Sequence, residues 1–410
     1  MLNTQFSPWP SFTQEEADAV SQVLLSNKVN YWTGTECREF EKEFAAWAGT
    51  DYAVALANGT LALDVALQAM GIGEGDEVIV TPRSFIASVS TVVNAGAIPV
   101  FADVDNNTGN ISATTIAPKI TDKTKAIICV HLAGWPCDMD EIMALAKQHN
   151  LWVIEDCAQA HGAKYKGKPV GSIGHVGAWS FCQDKIMTTG GEGGMVTTND
   201  KVLWQKMWEY KDHGKNYDSI YHKQHPPGFR WLHDSFGTNW RMMEMQAVIG
   251  RIQLKKMAEW TKIRTQNAKI LRDALTQFAG EQQFAGEQQF LRIPDIEFHQ
   301  VMGGDSVHAY YKYYVYVRPE NLPENINRDS ILNALNEKKI PCFSGSCSEI
   351  YLEKAFDNHP SRPNARLTVA KELGETSLMF LIHPTLTTTE MQTIATTTVD
   401  VLTTLFNANT

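Results

Sequence analysis

The chain has 410 residues and a formal net charge of -10. At roughly 150 residues per domain, that length suggests two or three domains, or one large domain with a smaller one appended. Hydrophobic residues make up 43% and charged residues 20%, a soluble globular profile with material for a large core. An acidic chain is poorly suited to nonspecific nucleic-acid or anionic membrane binding, so neither partner is expected, and any anionic ligand needs a local basic or dipolar site.

Seven cysteines are present. The number is odd and none lies in a CxxC, which argues against a disulfide framework or a zinc site, and no metal is expected. The start has no basic stretch followed by an apolar one, and no apolar run approaches the roughly 18 residues of a membrane span. A reducing cytoplasm is the expected compartment.

In chain order, Asn58-Gly59-Thr60 opens a helical pattern over 61–70. Small residues there leave backbone N–H groups free for an anion, although ordinary capping by Asn58 or Thr60 explains them equally. EVIV (77–80) reads as a buried strand, and Phe85 follows it at the head of a helical pattern, 85–96. That ring either stacks on a planar cofactor or joins the core. Further strands are expected at 97–104, 126–132, 151–156, 177–181 and 193–198, with a helix at 139–150. Strands alternating with helices predict an α/β domain with a mostly parallel sheet. Ligands of such sheets sit beyond the C-terminal strand ends.

Asp156 ends the strand LWVIED, with Gln159 and His161 close behind. A carboxylate there either caps the next helix or meets a cation such as a protonated ring nitrogen. Lys185 follows the strand GAWSF and precedes Gly190, Gly191, Gly193 and Gly194. Most loop lysines are solvated. An amine partly withdrawn from water, however, becomes a nucleophile, and glycines permit close approach of backbone to a ligand. A lysine, an acid for a ring nitrogen and an anion site together suggest pyridoxal phosphate.

From 200 to 275 the pattern is mainly helical, interrupted by HKQHPPGFRWLHDSFG (222–237). Arg230 and Trp231 in this insertion are candidates for a nucleotide diphosphate and base; a loop packed by its own aromatics is the alternative. The tandem repeat FAGEQQFAGEQQF (278–290) reads as a surface duplication without assigned function. YYKYYVYV (310–317) is a strand candidate. Boundaries of 1–260 for a large domain and 261–410 for a smaller α+β domain follow, with the N-terminal segment able to pack on the smaller one.

The ordered set ANGTLAL, TPRSF, VHLAGWPCDMDEI, VIEDCAQAHGA, WSFCQDKIMTTGGEGGMVTTND, FGTNWRMMEMQAVIGRIQL and HPTLT resembles the DegT/DnrJ/EryC1/StrS family from about Phe6 to Leu386. These are pyridoxal-phosphate enzymes, chiefly aminotransferases acting on nucleotide-linked keto-sugars. The resemblance implies a fold-type I aminotransferase-like large domain and a homodimer with shared active sites.

It also implies residue roles. Lys185 would bond to the cofactor and later shuttle protons, and Asp156 would keep the pyridine nitrogen protonated. Gln159 would meet the phenolic oxygen, and Phe85 would stack on the ring. Gly59, Thr60 and Ser180 would hold the phosphate, and Asn239 would reach the neighbouring subunit's phosphate. His308 and Tyr310 lie where relatives have sugar or interface contacts. Many relatives carry an aromatic pair such as YTF where this chain has RSF, and the loop TTGGEGG has one glycine more than the common form. A family branch with histidine in place of the lysine dehydrates its substrate, so Lys185 implies transamination, with glutamate the usual donor. Amination of a free cyclic ketone such as an inosose, or a non-catalytic regulatory role, are the alternatives.

Overall fold

The structure, a computed structural model, describes residues 5–284 and 289–407. Its main sheet has seven strands: β1 (Tyr52–Leu56), β2 (Glu77–Val80), β3 (Ile98–Phe101), β4 (Thr124–Val130), β5 (Trp152–Asp156), β8 (Val176–Ser180) and β9 (Gly194–Thr198). Between β5 and β8 lies a small hairpin, β6 (Lys164–Tyr165) and β7 (Lys168–Pro169). The spatial order is β1-β9-β8-β5-β4-β2-β3. The pairs from β3 through β8 are parallel, while β9 runs antiparallel to both its neighbours.

Both faces of this sheet are covered, which explains the continuous apolar runs. Val78, Val80, Ile128 and Ile154 join one buried cluster. Their alternates Ile79, Ile127, Cys129 and Val153 join another on the opposite face. Strand β1 carries no comparable signal in the sequence. Its YAVAL is half alanine-like in character, and alanine favours helix over strand.

The second sheet is antiparallel, in the order β10 (Leu291–Arg292), β11 (Tyr313–Val317), β13 (Ser377–Phe380) and β12 (Cys342–Phe343). Strand β11 is shorter than the 310–317 expected from pattern. Tyr310 takes φ +49°, a left-handed conformation that no strand residue adopts. The helix Glu244–Phe284 runs through residue 260 and serves both regions, touching the helices Gln14–Leu25 and Glu36–Ala48 and also Thr388–Asn407.

The hexapeptide duplication is not simply a surface segment. Phe278 and Phe290 at its ends are buried, and Phe290 packs 4.4 Å from Phe406. The side chains of 281–288 lie outside the described residues.

Two buried ionic assemblies brace the large sheet. Glu155 accepts from Gly171, Ile173 and Gly174 N–H groups at 2.6–2.8 Å and pairs with His131 Nε2 at 3.0 Å. Burial alone would raise its pKa, but the His131 ring and these donors hold it below the usual range. Cys157 Sγ lies close enough to complete a metal-sized triad. The Glu155 oxygens are nevertheless already committed to backbone, and His131 Nδ1 accepts from Cys137 N–H.

The second assembly pairs Lys211 Nζ with Glu41 at 3.7 Å, with the ammonium 3.7 Å from the Tyr31 ring centroid. Removing one member of a buried pair strands the other charge. Glu41→Ala is therefore expected to cost about 3–5 kcal/mol, and the double replacement Glu41→Leu with Lys211→Met to recover most of it. Urea midpoints of the two variants check this.

Candidate active site

The parallel strands deliver their chemistry to one sheet edge. Asp156 is the last residue of β5, paired with Val130 of β4 and Ala178 of β8. Gly59 and Thr60 follow β1, Phe85 follows β2, and Lys185 follows β8 by five residues. All of them line one cavity of about 1480 Å3, together with Gln159 and Ser180.

The anion cradle is the N-terminus of the helix Gly59–Met70. Asn58 caps it by accepting from Leu61 N–H at 3.0 Å, and this cap is compatible with an anion at Gly59 and Thr60, which line the cavity. A Cβ on Gly59 would stand 2.5 Å from Ser180 Cβ, so glycine lets these two phosphate candidates meet. The loop glycines serve the same cradle from behind. A Cβ on Gly194 would stand 2.2 Å from the Asn58 carbonyl, and Gly190 and Gly191 adopt φ +86° and +124°. A Cβ on Gly190 would stand 2.9 Å from Ile249 Cδ1, and one on Gly193 would run into the Thr189 side chain, while Gly191, in the doubled pair, meets open space.

Asp156 is buried, and burial pushes its pKa up; Ser88, Ala158 and the Lys185 charge oppose that rise. Ser88 Oγ donates at 2.7 Å and Ala158 N–H at 3.1 Å. A buried carboxylate with two neutral donors, opening on a cavity, suits a cationic ring nitrogen. Gln159 Oε1 accepts from Ala133 N–H at 2.8 Å, leaving its amide nitrogen as the donor for a ligand. Phe85 is 67% exposed; its ring forms cavity wall and not core, as stacking requires. The cradle, the carboxylate and the ring thus fit pyridoxal phosphate.

Lys185 Nζ lies 3.9 Å from Asp184 and 5.2 Å from the Tyr311 ring centroid. Its carbonyl accepts from Trp9 Nε1 at 2.9 Å. His161 does not share the cavity. It is buried between Trp179 and Phe181, and burial pushes its pKa down to about 3.

Four substrate candidates fall elsewhere. Arg230 and Trp231 lie in an exposed loop, with Trp231 88% exposed and its ring 4.9 Å from Phe229. They do not line the cavity of their own chain. His308 and Tyr310 are buried and stacked 4.1 Å apart, and the Tyr310 hydroxyl donates to Asp295 at 2.8 Å. Neither lines the cavity. Asn239 is exposed outside the cavity, its backbone bridged to Asp212.

Arg83, two residues before Phe85, turns inward. It is fully buried, 5.2 and 5.5 Å from the Tyr314 and Tyr316 ring centroids, and ties the large sheet to β11. Sequence reading missed Ser88, Trp9, Arg264, Lys312 and His383 at the cavity. Of these, Lys312 left a signal: a lysine inside an aromatic run.

Residues 10–399 match the DegT/DnrJ/EryC1/StrS aminotransferase family. A GDP-perosamine synthase from Escherichia coli is 37% identical over 369 residues, 89% of this chain and 89% of that protein. A UDP-N-acetyl-3-dehydro-alpha-D-glucosamine 3-aminotransferase from Acidithiobacillus ferrooxidans is 41% identical over 259 residues, 63% of this chain and 66% of that protein. The crystal structure of an aminotransferase from Psychrobacter cryohalolentis is 66% identical, with a TM-score of 0.93 over 98% of this chain and 99% of that one.

Ser88→Ala removes a donor that favours the ionised carboxylate, so the Asp156 pKa rises further. The acid limb of the rate profile is expected to move to higher pH, with cofactor lost at a higher pH than in the parent. A pH titration of cofactor absorbance alongside the rate checks this.

Proposed function

This chain belongs to the DegT/DnrJ/EryC1/StrS aminotransferase family, and from that premise we propose that it moves an amino group from glutamate to a nucleotide-linked keto-sugar. The products are 2-oxoglutarate and an amino-sugar nucleotide for a surface polysaccharide or glycan. The enzyme is a pyridoxal-phosphate-dependent aminotransferase, and its relatives act in amino-sugar biosynthesis.

One observation carries the substrate reading. The cavity of about 1480 Å3 exceeds the roughly 300–1,000 Å3 that encloses one drug-sized ligand. The cradle residues and Asp156 make up only a small part of its lining, which leaves room for a second, larger molecule.

Bound pyridoxal phosphate supplies the carbonyl that carries the amino group and the electron sink that stabilises the adjacent carbanion. Gly59, Thr60 and Ser180 would hold its phosphate, Phe85 would cover its ring and Gln159 would donate to its phenolic oxygen. The Asp156 carboxylate would keep the ring nitrogen protonated. Lys185 Nζ would be the attachment point and, when free, the base that takes a proton from the substrate carbon and returns it. Trp9 Nε1 donates to the Lys185 carbonyl and so fixes the backbone that carries this side chain.

A homodimer with Asn239 reaching the partner's phosphate is part of this reading, as are cytoplasmic location and the division into 1–260 and 261–410. The exposed Phe229, Trp231 and Phe236 support the dimer, since such a patch favours cover. The seven-stranded sheet lies within 52–198 and the four-stranded one within 291–380, which supports the division. No helix among the described residues is long and apolar enough to cross a membrane.

Lys185→Ala is expected to lower turnover by roughly 10⁴-fold or more and to abolish the absorbance of lysine-bound cofactor. Multiple turnovers at the parent rate would refute the assignment. Presenting GDP-, UDP- and dTDP-linked keto-sugars and a free cyclic ketone to the amine-loaded enzyme tests the acceptor. Turnover of the free ketone alone rejects the nucleotide.

A further inference from the structure

We propose that Arg264 and Lys312 form a carboxylate subsite beside Lys185 that binds the amino donor. The inference rests on the amino-transfer reading above and names a part of that same cavity.

Arg264 comes from the long helix Glu244–Phe284 and faces the cavity, yet it is only 1% exposed. Its guanidinium makes one hydrogen bond, Nη1 to the Tyr310 carbonyl at 3.2 Å, and its Nε has no partner. It lies 5.3 Å from the Trp9 ring centroid. Burial pushes its pKa down, and Tyr311 is the group that offsets this, not a carboxylate. A buried guanidinium with five donors and no anion is an incomplete arrangement.

Lys312 approaches from the segment before β11. Its ammonium lies 4.6 Å from the Tyr311 ring centroid, and Lys185 Nζ lies 5.2 Å from that same centroid. Burial pushes the Lys312 pKa down to about 8; Asp184 resists the fall, and Arg264 and Lys185 add to it. Asp184 is already engaged, accepting the Tyr311 hydroxyl and facing Lys185. Two cations without a committed counter-ion thus line one cavity, close enough for each charge to act on the other, in a chain whose net charge is -10. His383 lines the same cavity as a neutral ring, its pKa pushed down to about 3 by burial, with Nδ1 at 2.8 Å from Thr385 Oγ1.

The position selects the ligand. The carboxylate of an amino acid is attached to the carbon that bears its reacting nitrogen, and that nitrogen must arrive where Lys185 Nζ stands. A nucleotide diphosphate is held away from the reacting carbon by the width of the sugar ring. A guanidinium also matches a carboxylate with two parallel hydrogen bonds, and Lys312 adds a point charge.

The test compares the cofactor-loaded enzyme with its Lys312→Met, Lys312→Arg and Arg264→Lys variants. Glutarate, an unreactive dicarboxylate, is titrated against thermal unfolding, with GDP and UDP as parallel probes. The glutamate half-reaction is followed by cofactor absorbance. Lys312→Met is expected to weaken glutarate binding and raise half-saturating glutamate by roughly ten- to hundredfold, with protection by the nucleoside diphosphates unchanged. Lys312→Arg is expected to restore most of the loss. Arg264→Lys keeps the charge but loses the fork, and is expected to show the same weakening. Unchanged glutarate binding in both Lys312→Met and Arg264→Lys overturns the proposal. So does loss of nucleoside diphosphate protection with glutarate binding intact, which would give these cations to the nucleotide. Parent enzyme that binds glutarate through these residues but aminates no nucleotide-linked keto-sugar would overturn the functional reading and leave the subsite standing.

Discussion

The site depends on keeping one carboxylate, Asp156, out of water at the end of a central strand. Burial opposes its charge, and among the described residues its hydrogen bonds come from neutral donors, the Ser88 hydroxyl and the Ala158 amide. Ser88 is itself joined to Ser84 at 2.9 Å, so the turn after β2 and the strand β5 are held to one geometry. The Lys185 charge favours the ionised form from a distance, and a protonated ring nitrogen bound in the cavity would add a cation in direct contact.

A second constraint comes from the chain termini. Phe6 to Trp9 line the cavity, and Trp9 joins its indole N–H to the Lys185 carbonyl. Ser7 donates to Glu390 through its backbone N–H at 2.7 Å and its hydroxyl at 2.9 Å. Burial would raise the Glu390 pKa, but the Thr387 and Ser7 donors bring it down to about 2, so the tie stays ionised under ordinary conditions. Trp9 also meets Trp260 edge-on at 5.2 Å and stacks on His383 at 6.0 Å. The first turns of the chain, the long helix and the segment after β13 therefore converge on the backbone of the candidate catalytic lysine. The Arg264 and Lys312 cations belong to this same convergence, which places the donor subsite where two chain regions meet.

Much of the large sheet could be read directly from the chain. EVIV, AIICV and WVIED are short apolar runs, and alternate residues feed two covered faces, so composition and length sufficed. Strand β1 could not be read this way, because two of its five residues are alanines, which favour helix and dilute the strand preference of Tyr52 and Val54. At the site, Gly59, Thr60, Asp156 and Lys185 lay at recognisable strand or helix ends. Phe85 was ambiguous until its exposure placed it on the cavity wall. Arg230 and Trp231 were attractive by residue type, and His308 and Tyr310 by resemblance to the family. The first two remain on the surface of their own chain, and the other two are buried.

The sequence alone determined the fold class, the lysine and carboxylate at strand ends, and the glycine-opened helix, because these depend on local order along the chain. Tertiary structure decided the rest of the cavity. Ser88 meets Asp156 across 68 positions, and Trp9 meets Lys185 across 176. Arg264 and Lys312 face one cavity from a helix and a strand approach. Contacts between such distant residues leave no spacing to read, since their meeting is set by how sheets and helices pack.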